Sequence, residues 1–180
     1  MKKIAAILIV ACMCAALMLS LGSCSVTGES HMGFKVISTD INDFNLEVPS
    51  EWTVTSQNGY VSATANGETG DESNISVMSS VLNSELATPE GYFDSLIASY
   101  EELYDNVAVE GRDIDTKLGD KNAKKYVFTA DILGESYKFM QVLCVYGGRV
   151  YIFTYTSQGD YYALHETEVQ YILEYFAFKV

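Results

Sequence analysis

The chain has 180 residues, 48% of them hydrophobic and 12% aromatic, enough to build the core of one domain and to exclude a largely disordered protein. Its 24 acidic residues against 11 basic ones give a formal charge of −13, which makes nucleic acid and bare anionic lipid poor partners.

The N-terminus has the three parts of a secretory signal. Met1-Lys2-Lys3 is a basic start, residues 4–19 are apolar, and small residues follow before a candidate cut. Leu21-Gly22-Ser23-Cys24 then runs Leu, small, small, Cys, and resembles the lipobox of bacterial lipoproteins. In that chemistry the Cys24 thiol takes a diacylglyceryl group, the small residues let the peptidase reach the backbone, and Leu21 seats in an apolar pocket. The competing reading is an uncleaved transmembrane anchor, because residues 4–21 approach the roughly 20 apolar residues that span a bilayer. In either case the domain lies outside the cytoplasm, held at the outer face of the cell membrane or, in a two-membrane envelope, in the periplasm or at the outer membrane. A lipidated Cys24 would hold firmly, since each buried CH₂ contributes about 0.8 kcal/mol and two or three acyl chains are added.

Cleavage would remove residues 1–23, leaving 9 basic and 24 acidic residues and a charge of −15. Cys12 and Cys14 leave with that segment and Cys24 carries lipid, so Cys144 stands alone and makes no internal disulfide. Its surroundings, "FMQVLCVY", indicate a buried structural thiol. Residues 24–39 read as a flexible tether with His31 a solvated linker residue, and residues 40–180 as the domain.

In the domain, Phe44, Leu46 and Val48 alternate with polar residues, the period of a strand with one buried face. Pro49-Ser50 ends it and Trp52 opens the next. Asn58-Gly59 is a strong hairpin signal, followed by strands over 60–65 and 74–82 around the acidic loop "NGETGDES". The period changes at "TPEGYFDSLIASYEELYDNV", where Thr88 suits the N-cap, Pro89 the first helical position and Glu90 the positive end of the dipole. Phe93, Leu96, Ile97, Tyr100, Leu103 and Val107 form its apolar stripe. Strands follow over 107–118, 122–133, 136–146 and 149–157, joined by "GDKN", "GE" and "GG". The last helix takes Asp160 as N-cap, with Leu164, Val169, Ile172, Leu173 and Phe176 near helical spacing, and "FAFKV" leaves it as an extended tail.

The opening "FNLEVPSEWTV" and the closing "YIFTYTSQGDYYALHETEVQYILEYFAF" resemble the PsbP-like proteins, which include an extrinsic photosystem II subunit and many bacterial lipoproteins. The resemblance spans residues 40–180 and implies an α+β fold: a central antiparallel sheet flanked by helices on both faces, an α/β/α sandwich. It also implies a non-enzymatic accessory or binding protein. Phe44, Pro49 and Trp52 match the pattern as core and turn residues, and no functional residue of the plant subunit transfers.

Candidate sites are few. His165, beside Glu166 on the last helix, reads as part of a solvated face rather than a hydrolase triad. Glu68, Asp71 and Glu72 share a Gly-containing loop, and Asp113 and Asp115 share a strand face; either group could hold a hard cation, or simply form a solvated acidic surface. Tyr161 and Tyr162, beside "SQGD", are candidate contact residues, since Tyr joins an apolar ring to a hydrogen-bonding tip. The expectation is a membrane-anchored accessory or binding protein for an envelope protein partner, with no cofactor. The alternatives are a small-ligand or cation-binding module and, third, a hydrolase.

Overall fold

The computed structural model describes residues 31–38, 42–57, 59–66 and 70–179. The lipobox residues Leu21, Gly22, Ser23 and Cys24, the turn residue Asn58 and the loop residue Glu68 lie outside them. The strands are β1 (Phe34–Ser38), β2 (Phe44–Pro49), β3 (Thr53–Gln57), β4 (Tyr60–Thr64), β5 (Asn74–Val81), β6 (Asp105–Leu118), β7 (Lys121–Ile132), β8 (Glu135–Tyr146), β9 (Arg149–Gln158) and β10 (Ala177–Phe178). Helix α1 (Pro89–Glu101) lies between β5 and β6; a 3₁₀ turn (Tyr162–His165) and helix α2 (Glu166–Glu174) follow β9.

Two antiparallel sheets result. Seven strands form one in the order β3-β4-β5-β9-β8-β7-β6, and three form the other in the order β1-β2-β10. Short turns set the large sheet. Between β8 and β9, Gly147 and Gly148 have φ of 60° and 74°, the left-handed pair that a tight hairpin turn requires.

Because side chains alternate across a strand, the large sheet carries two cores. Phe139 and Leu143 of β8, with Val150 and Ile152 of β9, face α1. Val142 and Cys144, with Tyr151, Phe153 and Tyr155, face the other way, toward β2, Trp52 and α2. The first core is aromatic: Phe93 stacks on Tyr126 at 4.0 Å, and Phe128 on Phe139 at 4.7 Å. Helix α1 starts as its residues dictate, with the Thr88 hydroxyl accepting the Gly91 N–H at 3.2 Å and Pro89 in the first turn. It ends at Glu101, so Leu103 stays half exposed and Val107 joins β6.

The architecture is not the expected α/β/α sandwich. Strands dominate, and the second face is covered largely by the three-stranded sheet, with the nine-residue α2 beside it. That sheet is assembled from both ends of the domain. Strand β1 lies in the stretch read as tether, where Phe34–Ser38 pairs with β2 from Phe34↔Pro49 to Ser38↔Asn45. The extended tail is its third strand, Phe178 pairing with Phe44. Neither segment is long enough to show strand periodicity; both take their conformation from β2. Asp160 does not cap the last helix either, because the 3₁₀ turn intervenes and α2 begins after His165 without a side-chain cap. Burial of Cys144 matches its apolar context and pushes its thiol pKa up to about 11.

Candidate functional site

The chemistry-bearing residues gather where the loop before β5 meets the chain leaving β9. Asp71 Oδ2 lies 2.7 Å from His165 Nε2, and Asp71 Oδ1 accepts the Ser73 N–H at 2.9 Å. Both side chains are sheltered, Asp71 at 2% and His165 at 14% exposure, and the indole of Trp52 meets the imidazole edge-on at 5.4 Å. Beneath them the hydroxyls of Ser73 and Ser157 share a buried hydrogen bond of 2.7 Å, and Tyr155 donates to the carbonyl of Tyr162 at 2.8 Å. Burial raises the Asp71 pKa, but the hydrogen bonds from His165 and Ser73 outweigh it and hold the carboxyl below its ordinary value.

The arrangement sets what this pair can do. A hydrolytic triad needs the imidazole to hold a carboxylate through one nitrogen and a hydroxyl nucleophile through the other. Here Nε2 is committed to Asp71, His165 Nδ1 is buried without a hydrogen-bonding partner among the described residues, and the Ser73 hydroxyl is committed to Ser157. The pair is a clasp that ties the β4–β5 connection to the C-terminal segment. The solvated-face reading of His165 is therefore wrong, and no local pattern could have corrected it: Asp71 is 94 positions away.

A second clasp holds the small sheet at Asp43, just ahead of β2. Its carboxylate pairs with Arg149 and accepts from Ser79 Oγ at 2.8 Å and Tyr151 Oη at 3.0 Å. Burial first, then the hydrogen bond to Asp43, raises the Tyr151 pKa to about 12, so the phenol stays protonated and keeps donating.

The other sequence candidates are dispersed. Glu72 is exposed, apart from the buried Asp71 carboxylate. Asp113 and Asp115 flank Ile114 in β6, where the register on β7 shifts between Gly111 and Ile114 and Asp113 takes φ 54°. Each has its own cation: Arg112 Nε lies 3.3 Å from Asp113, and Lys124 Nζ lies 2.8 Å from Asp115. Among the described residues no group of three or more His, Cys, Asp or Glu could hold a metal ion. Tyr162 is a core residue, its ring 4.9 Å from Tyr155 and under the Lys138 ammonium, while Tyr161 is half-buried over Gly70. His31 is no bare linker residue: its Nδ1 lies 3.0 Å from Glu47 and its ring 4.4 Å from Tyr175.

No protein-family model and no curated protein matches this sequence. Solved structures share its fold. Cyanobacterial PsbP from Synechocystis superposes with a TM-score of 0.61 at 13% identity, over 88% of this chain and 98% of that one. A Pseudomonas aeruginosa protein of unknown function, described as a putative regulator, gives 0.56 at 14% identity, over 79% of this chain and 94% of that one. LpqN of Mycobacterium tuberculosis, involved in cell envelope biogenesis, gives 0.52 at 13% identity, over 76% of this chain and 83% of that one. At such identities the likeness establishes the fold alone, and that fold is PsbP-like.

Proposed function

We propose that this chain is a lipid-anchored extracytoplasmic domain acting as a non-enzymatic accessory or binding protein for a partner in the cell envelope. The observation that carries this reading is the pairing of Leu21-Gly22-Ser23-Cys24 with a PsbP-like fold, a fold also seen in the envelope-biogenesis protein LpqN. The chemistry of the domain supports binding over hydrolysis, since its sheltered acid–imidazole pair serves as an internal clasp. The test is crosslinking in intact cells with pull-down and mass spectrometry. One abundant envelope protein, lost in Cys24→Ala, is the expected result. Lipid labelling that persists in Cys24→Ala would refute the lipobox assignment.

A small-ligand module is the second reading. It is favoured by a groove of about 350 Å³ bordered by Lys121, Tyr146, Glu174, Tyr175 and Phe178, in which the Lys121 ammonium sits 4.6 Å over the Tyr146 ring. A ligand screen read by melting temperature tests it. A shift that disappears in Tyr146→Ala would establish the groove as the site.

A further inference from the structure

The β7–β8 turn has a residue that the fold itself does not explain. Leu133 occupies the first position of the tight turn with φ 54°, followed by Gly134 at 88°. Such a turn calls for Asn, Asp or Gly, because a branched or bulky side chain clashes with its own backbone at positive φ. Among the described residues the other non-glycines at positive φ are Ala87, Asn106 and Asp113, of which Asn and Asp tolerate that region. Leu133 has no packing to offset its strain: it is 101% exposed. A single exposed leucine is ordinary, but one at positive φ on a hairpin tip with no packing around it is an outlier that the fold itself does not account for.

Its surroundings have one sign of charge. Register places Asp105 opposite Asp131, and Ile132 opposite Glu135, so the start of β6 and the β7–β8 turn form one end of the sheet. Glu101, Glu102, Asp105 and Glu135 are exposed there, with half-exposed Leu103 among them. Residues 101–106 and 131–136 contain no Lys or Arg. The Lys138 ammonium on β8 is taken by Glu110 at 2.9 Å.

We infer that the β7–β8 hairpin tip, Leu133 within the carboxylate rim of Asp105, Asp131 and Glu135, docks into a protein partner through an apolar socket ringed by Lys and Arg. The inference rests on the accessory-protein reading and supplies the surface that reading lacks. Complementary charge would steer the encounter and the leucine would anchor it.

The test uses the full chain in its own envelope, with the photo-crosslinking amino acid p-benzoylphenylalanine at position 133, 32 or 81. Met32 and Val81 are controls, being 100% and 74% exposed, and Val81 lies at the opposite end of the sheet. A light-dependent protein adduct at 133 and not at 32 or 81, mapped to a partner peptide bearing Lys or Arg, is expected. Leu133→Asn should then raise the melting temperature by a few degrees, since strain is relieved. The same change should cut the yield of that partner in formaldehyde crosslinking by about tenfold or more. A merely structural leucine could not produce both effects. Asp105→Asn with Glu135→Gln should lower the yield and its sensitivity to salt. A lipid adduct at 133, adducts only at 32 or 81, or full yield in Leu133→Asn would overturn this surface and leave the accessory reading standing. No protein adduct at any position, with no partner in pull-down, would overturn both.

Discussion

The two faces of the seven-stranded sheet are held in different ways. The α1 face is built from neighbours in the chain: α1 leads into β6, and β6 to β9 follow through short turns, so its core of stacked rings forms from contiguous sequence. The opposite face is assembled from the ends of the domain, with β1 and β2 from one side, α2 and β10 from the other. Its packing is supplemented by two polar clasps, Asp71–His165 and Asp43–Arg149. The first face depends on shape complementarity of large rings, and the second depends also on single bonds between distant segments. Loss of one ring should therefore damage the first most, and loss of one bond or one close approach the second.

The largest effect is expected at Phe128, which is fully buried between Phe139 and Tyr100. Phe128→Ala should destabilise by about 4 kcal/mol in urea unfolding, through lost transfer energy and a cavity. Gly119→Ala should come next at about 3 kcal/mol, because an added Cβ would stand 2.1 Å from the Phe176 carbonyl oxygen at a φ of 55°. Gly119 also donates its N–H to Leu173 at 2.7 Å, so hydrogen exchange should quicken in α2 and β10 while α1 stays protected. Equal loosening of both faces would break the distinction.

His165→Gln should cost about 2 kcal/mol, since it takes from a sheltered carboxylate its imidazole partner. A double-mutant cycle with Asp71→Asn should show that the two losses are coupled. Acid titration sharpens the point. Asp71 is held below its ordinary value of 3.8 in the folded protein, so its contribution is complete above that value and is lost as pH falls through the lower folded one. Asp71→Asn should flatten the acid limb of the stability curve below about pH 4. The smallest effect is expected on the α1 face at the Thr88 cap, where Thr88→Ala should cost about 1 kcal/mol in thermal unfolding.

Much of the large sheet is legible in the residues. Alternation marks β2, Gly147-Gly148 marks the β8–β9 turn, and Thr88-Pro89-Glu90 marks the start of α1. These signals rest on interactions within a few positions, where backbone sterics and capping act whatever the rest of the chain does. The candidate site was legible only as separate residues. Asp71 stood out as one acid of a loop and His165 as an imidazole, while their pairing had no local trace. Tyr162 looked like a surface aromatic because it follows a polar turn, yet the 3₁₀ turn rolls it onto Tyr155.

By itself, then, the sequence determined the alternating strands, the hairpin turns, the amphipathic helix and the placement of Cys144 in apolar surroundings. Tertiary structure alone decided that there are two sheets, that Phe34–Ser38 and Ala177–Phe178 both pair with β2, and that Asp43 meets Tyr151 across 108 positions. The physical reason is range. Periodicity and turn chemistry are properties of adjacent residues, whereas a short edge strand or a buried ion pair exists only once the partner segment has been brought alongside it.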